Sequence, residues 1–351
     1  MYISVIGHGR SGKTTLFKAL SGVESAQGYS EGDSIISIDV PDERVEELTK
    51  IFKPKKSTYA RIELADTVAI EEGNLKDSTI SAKTLQKMRT SDAFILTLKY
   101  FDGAVFEDLE KDFHGIVSEF ILADMVQIEN RLERIKKQGG KKENTALLQE
   151  EALLAQCLAH VNDGRVLSTL DLSDSDGKAL RGFRFLSQKP MMIVVNCSEE
   201  NMGQAASMSE RLAHTATGYP VIYACARLES ELAMMGADEQ ETFMAEFAIE
   251  ESIRGRLIRL AFETLGLISF LTVGDDECRA WPIRKGMSAQ EAAGAIHSDL
   301  AARFIRAETM SYGDFMKHGS IAECKKAGVW RLEGKTYIVQ DGDILSVRAG
   351  N

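Results

Sequence analysis

The chain contains few residues that would interrupt or cross-link a fold. Five prolines among 351 residues are too few for long extended or disordered linkers, so the composition predicts a chain that is folded throughout. Five cysteines without a CxxC pair predict reduced thiols and argue against a zinc site or a disulfide framework. No apolar run is long enough to cross a bilayer, because Arg259 and Glu263 interrupt the most apolar stretch, 257–273.

Positive charge is also scarce over the chain as a whole. The formal net charge of −11 argues against a surface that binds nucleic acid over its whole area. The chain opens on the apolar run 2–6, without a basic segment or a cleavage site, so no targeting segment is predicted. With no membrane-spanning run either, these features predict a cytoplasmic protein that is not attached to a membrane.

Short apolar runs separated by polar or helical segments dominate the sequence up to about residue 225. This alternation is typical of an α/β fold whose mainly parallel sheet is covered by helices on both faces. The segment 14–20, directly after the first run, has helical character. The predicted strands are 2–6, 34–39, 60–64, 93–98, 191–195 and 221–224.

Two further patterns interrupt and follow this α/β part. Apolar residues recur at steps of four and three from Ile121 to Ile135, and a second helical segment follows the break at Gly139-Gly140. We interpret the pair as an inserted antiparallel coiled-coil arm over 119–161. After a helix near 238–264, the composition changes at Gly266, and the remaining residues alternate short strands with a helix at 289–304, which predicts a small α+β module.

The strongest chemical motif follows the first predicted strand. Residues 7–14, Gly-His-Gly-Arg-Ser-Gly-Lys-Thr, match GxxxxGK[ST] directly before a helix, the context of a P-loop. Gly7 and Gly12 let successive backbone N–H groups point at phosphates, and the helix N-terminus adds its dipole. Lys13 is predicted to neutralise β- and γ-phosphate oxygens, while the Thr14 hydroxyl is predicted to bind Mg²⁺.

Two later strand ends carry the residues expected beside a purine base. In P-loop GTPases a strand ends in NKxD, whose carboxylate pairs with guanine; here the strand 191–195 is followed by Asn196-Cys197-Ser198-Glu199. Replacement of Asp by the longer Glu199 removes the guanine-specific contact and favours ATP, with GTP as the alternative. The next strand is followed by Cys225-Ala226-Arg227, which is similar to the SAK loop on the other side of the base.

Taken together, these segments resemble the YchF or Obg-like ATPase family over nearly the whole chain. The remaining matching segments are 40–44, 53–56, 121–124, 131–134, Ala280-Trp281, 292–299, 304–308 and 330–343. The resemblance implies a P-loop G domain at 1–118 and 162–266, the inserted arm at 119–161, and a TGS (ubiquitin-like) domain at 267–351. It also implies hydrolysis of ATP in preference to GTP and association with ribosomes or nucleic acid. Carried over by position, Arg10, Ser11 and Thr15 join the phosphate loop, and Cys197 lies beside the adenine.

The sequence departs from the family at positions that bear on turnover. The family's DxAGL loop aligns with 63–67, which makes Glu63 a predicted ligand of metal-bound water and places Asp66 as an extra carboxylate against the γ-phosphate. Ser30 aligns by spacing with the metal-binding threonine of the first switch, where it is either a metal ligand or a solvated loop serine. Arg10 stands where the family has asparagine, and either supplies positive charge as an arginine finger in cis or points into solvent. Because Thr67 stands where a glutamine would orient water, slow hydrolysis is expected.

Two functional hypotheses therefore remain open from the sequence. The first is a slow Mg²⁺-dependent ATPase that regulates ribosomes or another RNA partner; the second is a nucleotide-binding scaffold with little or no turnover. In either case the C-terminal module and the arm tip are candidate contacts to RNA, the arm tip through phosphate contacts. A monomer is expected. The basic residues at the predicted tip are Arg131, Arg134, Lys136, Lys137, Lys141 and Lys142.

Overall fold

A parallel sheet and a mixed sheet organise the chain. The computed structural model describes residues 1–22, 34–67, 69–71, 82–138, 145–247 and 249–350. Its contacts divide into two units, Met1–Ile36 with Glu63–Arg254, and Ser37–Ile62 with Gly255–Asn351. Within the described residues, no helix is both long enough and apolar enough to cross a membrane.

The parallel sheet has the strand order β2-β4-β1-β5-β6-β7. Its strands are β1 (Tyr2–Ile6), β2 (Ile35–Val40), β4 (Ala60–Asp66), β5 (Ala93–Tyr100), β6 (Met191–Cys197) and β7 (Val221–Ala224). All seven residues of β6 are buried, as expected for a strand covered on both faces. All six predicted strands are present, with ends displaced by at most two residues, and the α/β prediction is confirmed.

The helices of the first unit cover this sheet. They are α1 (Lys13–Ser21), α3 (Ala82–Thr90), α4 (Phe106–Gln138), α5 (Thr145–Asn162), α6 (Asp174–Leu180), α7 (Met202–Thr215), α8 (Ala226–Leu232) and α9 (Ala237–Glu246), followed by α10 (Ile253–Thr264), which the division between the units crosses. The predicted helix over 238–264 is thus two helices.

Helix α4 begins at Phe106, thirteen residues before the predicted start of the arm at 119. Its first half carries Leu109, Phe113 and Ile116 into the same apolar core as the sheet. Its second half, through Ile128 and Ile135, joins a separate core with α5. One continuous helix therefore serves two cores, and the heptad-like pattern marks only the half that packs on α5.

The second unit contains the mixed sheet, of order β11-β10-β12-β8-β9-β3. Its elements are α2 (Glu43–Phe52), β3 (Lys56–Thr58), β8 (Leu267–Thr272), β9 (Glu277–Arg284), α11 (Ala289–Ile296), α12 (Ser298–Ala302), β10 (Phe304–Ser311), α13 (Tyr312–His318), α14 (Ile321–Lys326), β11 (Arg331–Glu333) and β12 (Asp343–Ala349). The helix predicted over 289–304 is interrupted at His297 and ends before the buried Phe304, which opens β10.

An early segment of the chain belongs to this second unit. Strand β3 pairs in parallel with β9, and Arg44 on α2 donates to Asp42 (2.8 Å) and to Asp341 (2.8 Å). These hydrogen bonds to carboxylates raise the pKa of Arg44 above its ordinary value. The unit therefore differs from the predicted C-terminal domain, which starts at 267 and contains nothing from 37–62.

Candidate nucleotide site

The loop between β1 and α1 is folded so tightly that two of its positions exclude a side chain. Gly7 has φ 151° and Gly12 has φ 87°. A Cβ on Gly7 would lie 2.5 Å from the carbonyl oxygen of Thr97, and one on Gly12 would lie 2.0 Å from Nδ2 of Asn196. Glycine is thus favoured at both positions by positive φ, and also by the approach of the Thr97 backbone to Gly7 and of the Asn196 side chain to Gly12.

Lys13 and Ser11 turn polar atoms toward the interior of this loop. The Lys13 side chain is buried, and its Nζ donates to the carbonyl oxygen of His8 at 2.8 Å. Ser11 Oγ is buried and has no hydrogen-bond partner among the described residues. A buried hydroxyl without a partner is costly unless a ligand satisfies it, so its position in this loop favours an anionic ligand with several oxygens.

Arg10 lies on the outer side of the loop. Its backbone adopts the left-handed region with φ 60°, and its side chain is exposed. Thr14 and Thr15, in the first turn of α1, are half-buried. The chain thus places one buried ammonium group, one exposed guanidinium and several hydroxyl groups around the loop.

Asn196 connects the loop to the end of the sheet. Its Nδ2 donates to the carbonyl oxygen of Ser11 at 3.0 Å, and its Oδ1 accepts from the backbone N–H of Ala226 at 3.0 Å. Because Asn196 is buried, both hydrogen bonds satisfy groups that water cannot reach. Asn196 therefore holds the predicted phosphate loop and the predicted base loop in one arrangement.

A cavity of about 1150 Å³ opens at the carboxyl ends of β5, β6 and β7. It is lined by Thr15, Asn196, Cys197, Glu199 and Ala226, all predicted from sequence to contact a nucleotide. In parallel sheets, ligands bind at this edge, where the strand order reverses. The order β4-β1-β5 places such a reversal beside the loop.

The other wall of the cavity was missed by sequence reasoning. It consists of the β5–α4 loop, 101–105, with the start of α4, and of Gln204, Met208 and Arg211 on α7. The Arg211 guanidinium lies over the Phe106 ring at 3.8 Å, and Lys99 Nζ lies over the Phe101 ring at 4.9 Å. The sequence offered one signal for this wall. The loop after β5 follows a predicted strand of the parallel sheet, so it emerges at the same sheet edge as Asn196.

Cys197 places a neutral group on the wall of the cavity. Burial raises the pKa of its thiol to about 12, so the thiol stays protonated near neutral pH. Where guanine-specific proteins have the lysine of NKxD, this chain has an uncharged group. All five cysteines, including Cys197 and Cys225, are free and buried.

The register of β4 corrects the prediction for Glu63. Glu63 pairs with Tyr2 and is exposed, whereas Asp66 pairs with Val5 and is fully buried. At about 3.3 Å per residue, Glu63 lies roughly 10 Å before the strand end that faces the loop. The strand continues two residues beyond its predicted end at 64, so Asp66, and not Glu63, lies at the strand end that faces the loop.

Two other predictions concern Ser30 and Thr67. Ser30, the predicted ligand from the first switch, lies outside the described residues. Thr67 is buried, and its hydroxyl donates to the carbonyl oxygen of Val5 at 2.6 Å.

Within the described part of the chain, no group of three or more His, Cys, Asp or Glu residues could hold a metal ion. Protein carboxylates alone therefore do not form a metal site there.

An acidic residue also contacts the loop from outside. Glu71 Oε1 accepts a hydrogen bond from the backbone N–H of Gly9 at 2.9 Å, and Glu71 Oε2 lies 3.7 Å from His8 Nδ1. On the opposite side, Asp112 Oδ1 lies 3.9 Å from His8 Nε2. Burial raises the pKa of Asp112. The carboxylate of Glu71 therefore uses an N–H group of the predicted phosphate loop.

Comparisons with known proteins agree with this geometry. Residues 267–350 match the family model YchF-GTPase_C, described as a protein of unknown function (DUF933). The chain is 34% identical to the Ribosome-binding ATPase YchF of Bacillus subtilis (strain 168) over 360 residues, covering 98% of each chain. It is 32% identical to the protein of the same name from Escherichia coli O157:H7, covering 97% of each.

The fold is also that of a solved structure. The YchF GTPase of Schizosaccharomyces pombe superposes with a TM-score of 0.82 at 24% identity, covering 99% of this chain and 97% of that one. This similarity establishes an α/β fold of the P-loop GTPase type. With relatives above 30% identity over nearly the full length, the chain belongs to the YchF family.

Proposed function

We propose that this protein binds a purine nucleoside triphosphate with Mg²⁺ at the loop between β1 and α1, and hydrolyses it slowly. ATP is the preferred nucleotide, and GTP is the alternative. The observation that carries the proposal is the Asn196 bridge, which joins a loop containing a buried ammonium group to a cavity large enough for a base. The relatives named Ribosome-binding ATPase support the same activity.

The phosphate chain would lie along the loop 7–14. Backbone N–H groups and the dipole of α1 attract its charge, and Lys13 Nζ exchanges its bond to the His8 carbonyl for phosphate oxygens. Ser11 Oγ gains the partner that it lacks among the described residues. Arg10, exposed beside the loop, is proposed to approach the transferred phosphate and offset its negative charge.

The residues around the loop suit Mg²⁺, which prefers hard oxygen ligands and retains several waters. The Thr14 hydroxyl and the Asp66 carboxylate would hold it together with phosphate oxygens. When bound, the ion would neutralise charge that develops on the phosphates. Asp66 lies at the strand end nearest the loop, which is why it replaces Glu63 in this proposal.

Slow turnover follows from the residues after β4. The Thr67 hydroxyl is buried and donates to the β1 backbone, and Ile70 is buried in the apolar core. Neither side chain presents a polar group that orients a water molecule for attack. Hydrolysis would therefore depend on positioning and charge neutralisation alone.

Base preference is proposed to reside in Cys197 and Glu199. Guanine recognition by NKxD uses a short carboxylate, and the longer Glu199 changes where that carboxylate lies. The protonated Cys197 thiol adds no charge beside the base. Both residues line the cavity, as does Ala226, whose N–H is fixed by Asn196.

The partner is proposed to be the ribosome or its RNA, in the cytoplasm, with a monomeric protein. The nucleotide domain comprises 1–118 and 162–266, and the inserted arm, 119–161, and the TGS domain, 267–351, provide the contacts. Of the basic tip residues, Arg131 is paired with Glu150 and Lys137 lies near Glu133, which lowers the net charge at the tip. Lys141 and Lys142 lie outside the described residues.

Calorimetric titration with ATP, GTP and ADP, each with and without Mg²⁺, tests the nucleotide proposal. We expect ATP to bind more tightly than GTP, and Mg²⁺ to strengthen ATP binding more than ADP binding. Equal affinities, or a preference for GTP, would contradict the roles of Cys197 and Glu199. ATP binding without any single-turnover hydrolysis would favour the scaffold hypothesis, which the contact of Glu71 with the loop also supports.

Replacing Glu71 tests whether its carboxylate competes with phosphate. Because Glu71 is bonded to Gly9 N–H, the Glu71→Ala variant is expected to bind ATP about five-fold more tightly, which corresponds to roughly 1 kcal/mol of relieved repulsion at a partly exposed site. Calorimetry measures the change. The control is Asp112→Asn, which removes the carboxylate on the other side of His8 and is expected to leave the affinity within two-fold, roughly 0.4 kcal/mol. Unchanged or weaker binding in Glu71→Ala would refute the competition.

A further inference from the structure

A second cavity, of about 320 Å³, lies between α3, α4 and the turn that contains Phe183. Three arginines line it: Arg89 from α3, and Arg131 and Arg134 from consecutive turns of α4. Gln127 and Asn130 add side-chain amides, and no acidic residue is among the described residues that form its wall. The described lining thus carries guanidinium and amide donors around a partly open cavity.

Arg89 is largely buried, and its hydrogen-bond partner is a side-chain amide. Its side chain is only 15% exposed, and Nη1 donates to the amide oxygen of Gln127. The nearest carboxylate oxygen, Asp124 Oδ1, is 3.8 Å away, beyond hydrogen-bond distance. Desolvation by burial lowers the pKa of Arg89 despite that neighbour.

Asp124 already accepts hydrogen bonds from groups other than Arg89. Its two oxygens accept hydrogen bonds from the backbone N–H groups of Leu186 and Ser187 and from the Ser187 hydroxyl, each at 2.8 Å. Burial raises the pKa of this carboxyl group to about 6, which shows that its charged form is poorly accommodated. Asp124 therefore forms an ion pair with Arg89 at 3.8 Å but accepts no hydrogen bond from it.

The other two arginines extend the donor set to the mouth of the cavity. Arg131 donates through Nε and Nη2 to Glu150, both at 2.7 Å, which fixes the guanidinium at the cavity wall. Arg134 is exposed and lies three residues further along the same helix face. A ligand entering the cavity would meet Arg134 first and Arg89 at its inner end.

We propose that this cavity binds a phosphate group, carried either by a free phosphorylated molecule or by an RNA backbone. A tetrahedral oxyanion accepts hydrogen bonds from guanidinium and amide donors in several directions, and arginine favours planar, paired contacts with it. The volume exceeds that of a single phosphate and leaves room for an attached sugar. The site is separate from the loop of Lys13 and does not depend on the proposed nucleotide activity.

The test uses the full chain carrying Lys13→Ala, so that the phosphate loop contributes little to binding. Inorganic phosphate is titrated by calorimetry into this protein and into the same protein with Arg134→Gln or Arg89→Gln added. We expect each added change to weaken phosphate binding about ten-fold, the effect of losing one charge-assisted hydrogen bond. Arg181→Gln, an exposed arginine outside the cavity, is the matched control and should change nothing.

Arg134→Gln keeps the test decisive if Arg89→Gln unfolds, because Arg134 is exposed and forms no ion pair with another residue in the described part of the chain. A twelve-nucleotide RNA then distinguishes the two sources. If RNA displaces phosphate, and if replacing Arg134 lowers the number of counterions released on RNA binding by about one, the site binds an RNA backbone. If RNA does not displace phosphate, the site binds a small phosphorylated molecule. No phosphate binding, or binding equal in all variants, would overturn the proposal. These readouts stay interpretable even if ATP binding at the loop is disproved.

Discussion

Replacing Lys13 with alanine is expected to lower ATP affinity by about two orders of magnitude and to abolish measurable hydrolysis. The Lys13 ammonium is buried inside the loop and held 2.8 Å from the His8 carbonyl, so it is already at the place where phosphate oxygens would arrive. Each charge-assisted hydrogen bond in such a setting contributes about 1.5–3 kcal/mol, and two of them correspond to at least a hundred-fold in binding. Calorimetry and single-turnover assays give the two measurements.

Lys18 supplies the matched control for this experiment. It is an exposed lysine on the same helix, five residues further on, and lies outside the loop. Lys18→Ala is expected to bind and hydrolyse ATP like the unmodified protein. Thermal unfolding should show both variants folded, because Lys13→Ala leaves the buried apolar face of α1, which includes Leu16, Phe17 and Leu20, unchanged. If Lys13→Ala retained full affinity, the loop would not be the phosphate site.

Much of the α/β fold was accessible from local pattern. Strands β1, β5 and β6 are buried on both faces and therefore appear as continuous apolar runs, the simplest signal in a parallel sheet. The loop was equally accessible, because Gly7 and Gly12 have positive φ and a side chain on either would meet Thr97 or Asn196. In these regions local sequence and tertiary packing demand the same residues.

The pairing of β3 with β9 had no such signal. Strand β3 consists of three polar residues, Lys56, Ser57 and Thr58, and its partner begins at Glu277, about 220 residues later in the chain. Neither apolar periodicity nor a turn motif marks a strand of this kind. Its existence depends on the neighbouring backbone, so the grouping of 37–62 with the C-terminal part could not be derived from one sequence.

Helix α4 illustrates a different limit. Its second half follows one apolar period because it packs on a single neighbour, α5. Its first half packs Phe106, Leu109 and Phe113 into the sheet core, where the apolar face turns to meet different partners. The apolar pattern therefore predicts only the second half and places the helix start too late.

The cavity beside Asn196 was incompletely predicted for the same reason, since its second wall is the loop that leads into this helix.

The strand end at Asp66 has the most direct consequence for chemistry. By motif alignment, Glu63 was the metal-side carboxylate and Asp66 an obstacle to the γ-phosphate. The pairing of Val5 with Asp66 and of Tyr2 with Glu63 favours Asp66 over Glu63 for the first role, because Asp66 lies at the end of β4 beside the loop that starts at Gly7. Asp66 therefore has two opposite predicted roles, as a ligand of Mg²⁺ or as a carboxylate that repels the γ-phosphate, and a substitution can separate them.

We expect Asp66→Asn to lower Mg²⁺-dependent hydrolysis at least a hundred-fold and to raise the Mg²⁺ concentration needed for tight ATP binding. The amide keeps the size of the buried side chain but loses the charge that holds the ion, and removing one transition-state contact of this kind costs about 3 kcal/mol. Glu63→Gln, a charge removal in the same strand at an exposed position, should leave both quantities unchanged. Faster hydrolysis in Asp66→Asn would instead identify Asp66 as a carboxylate that repels the γ-phosphate. Loss of activity in Glu63→Gln alone would mean that the carboxylate three residues from the strand end reaches the metal after all, which the register of β4 does not allow without a shift of the whole strand.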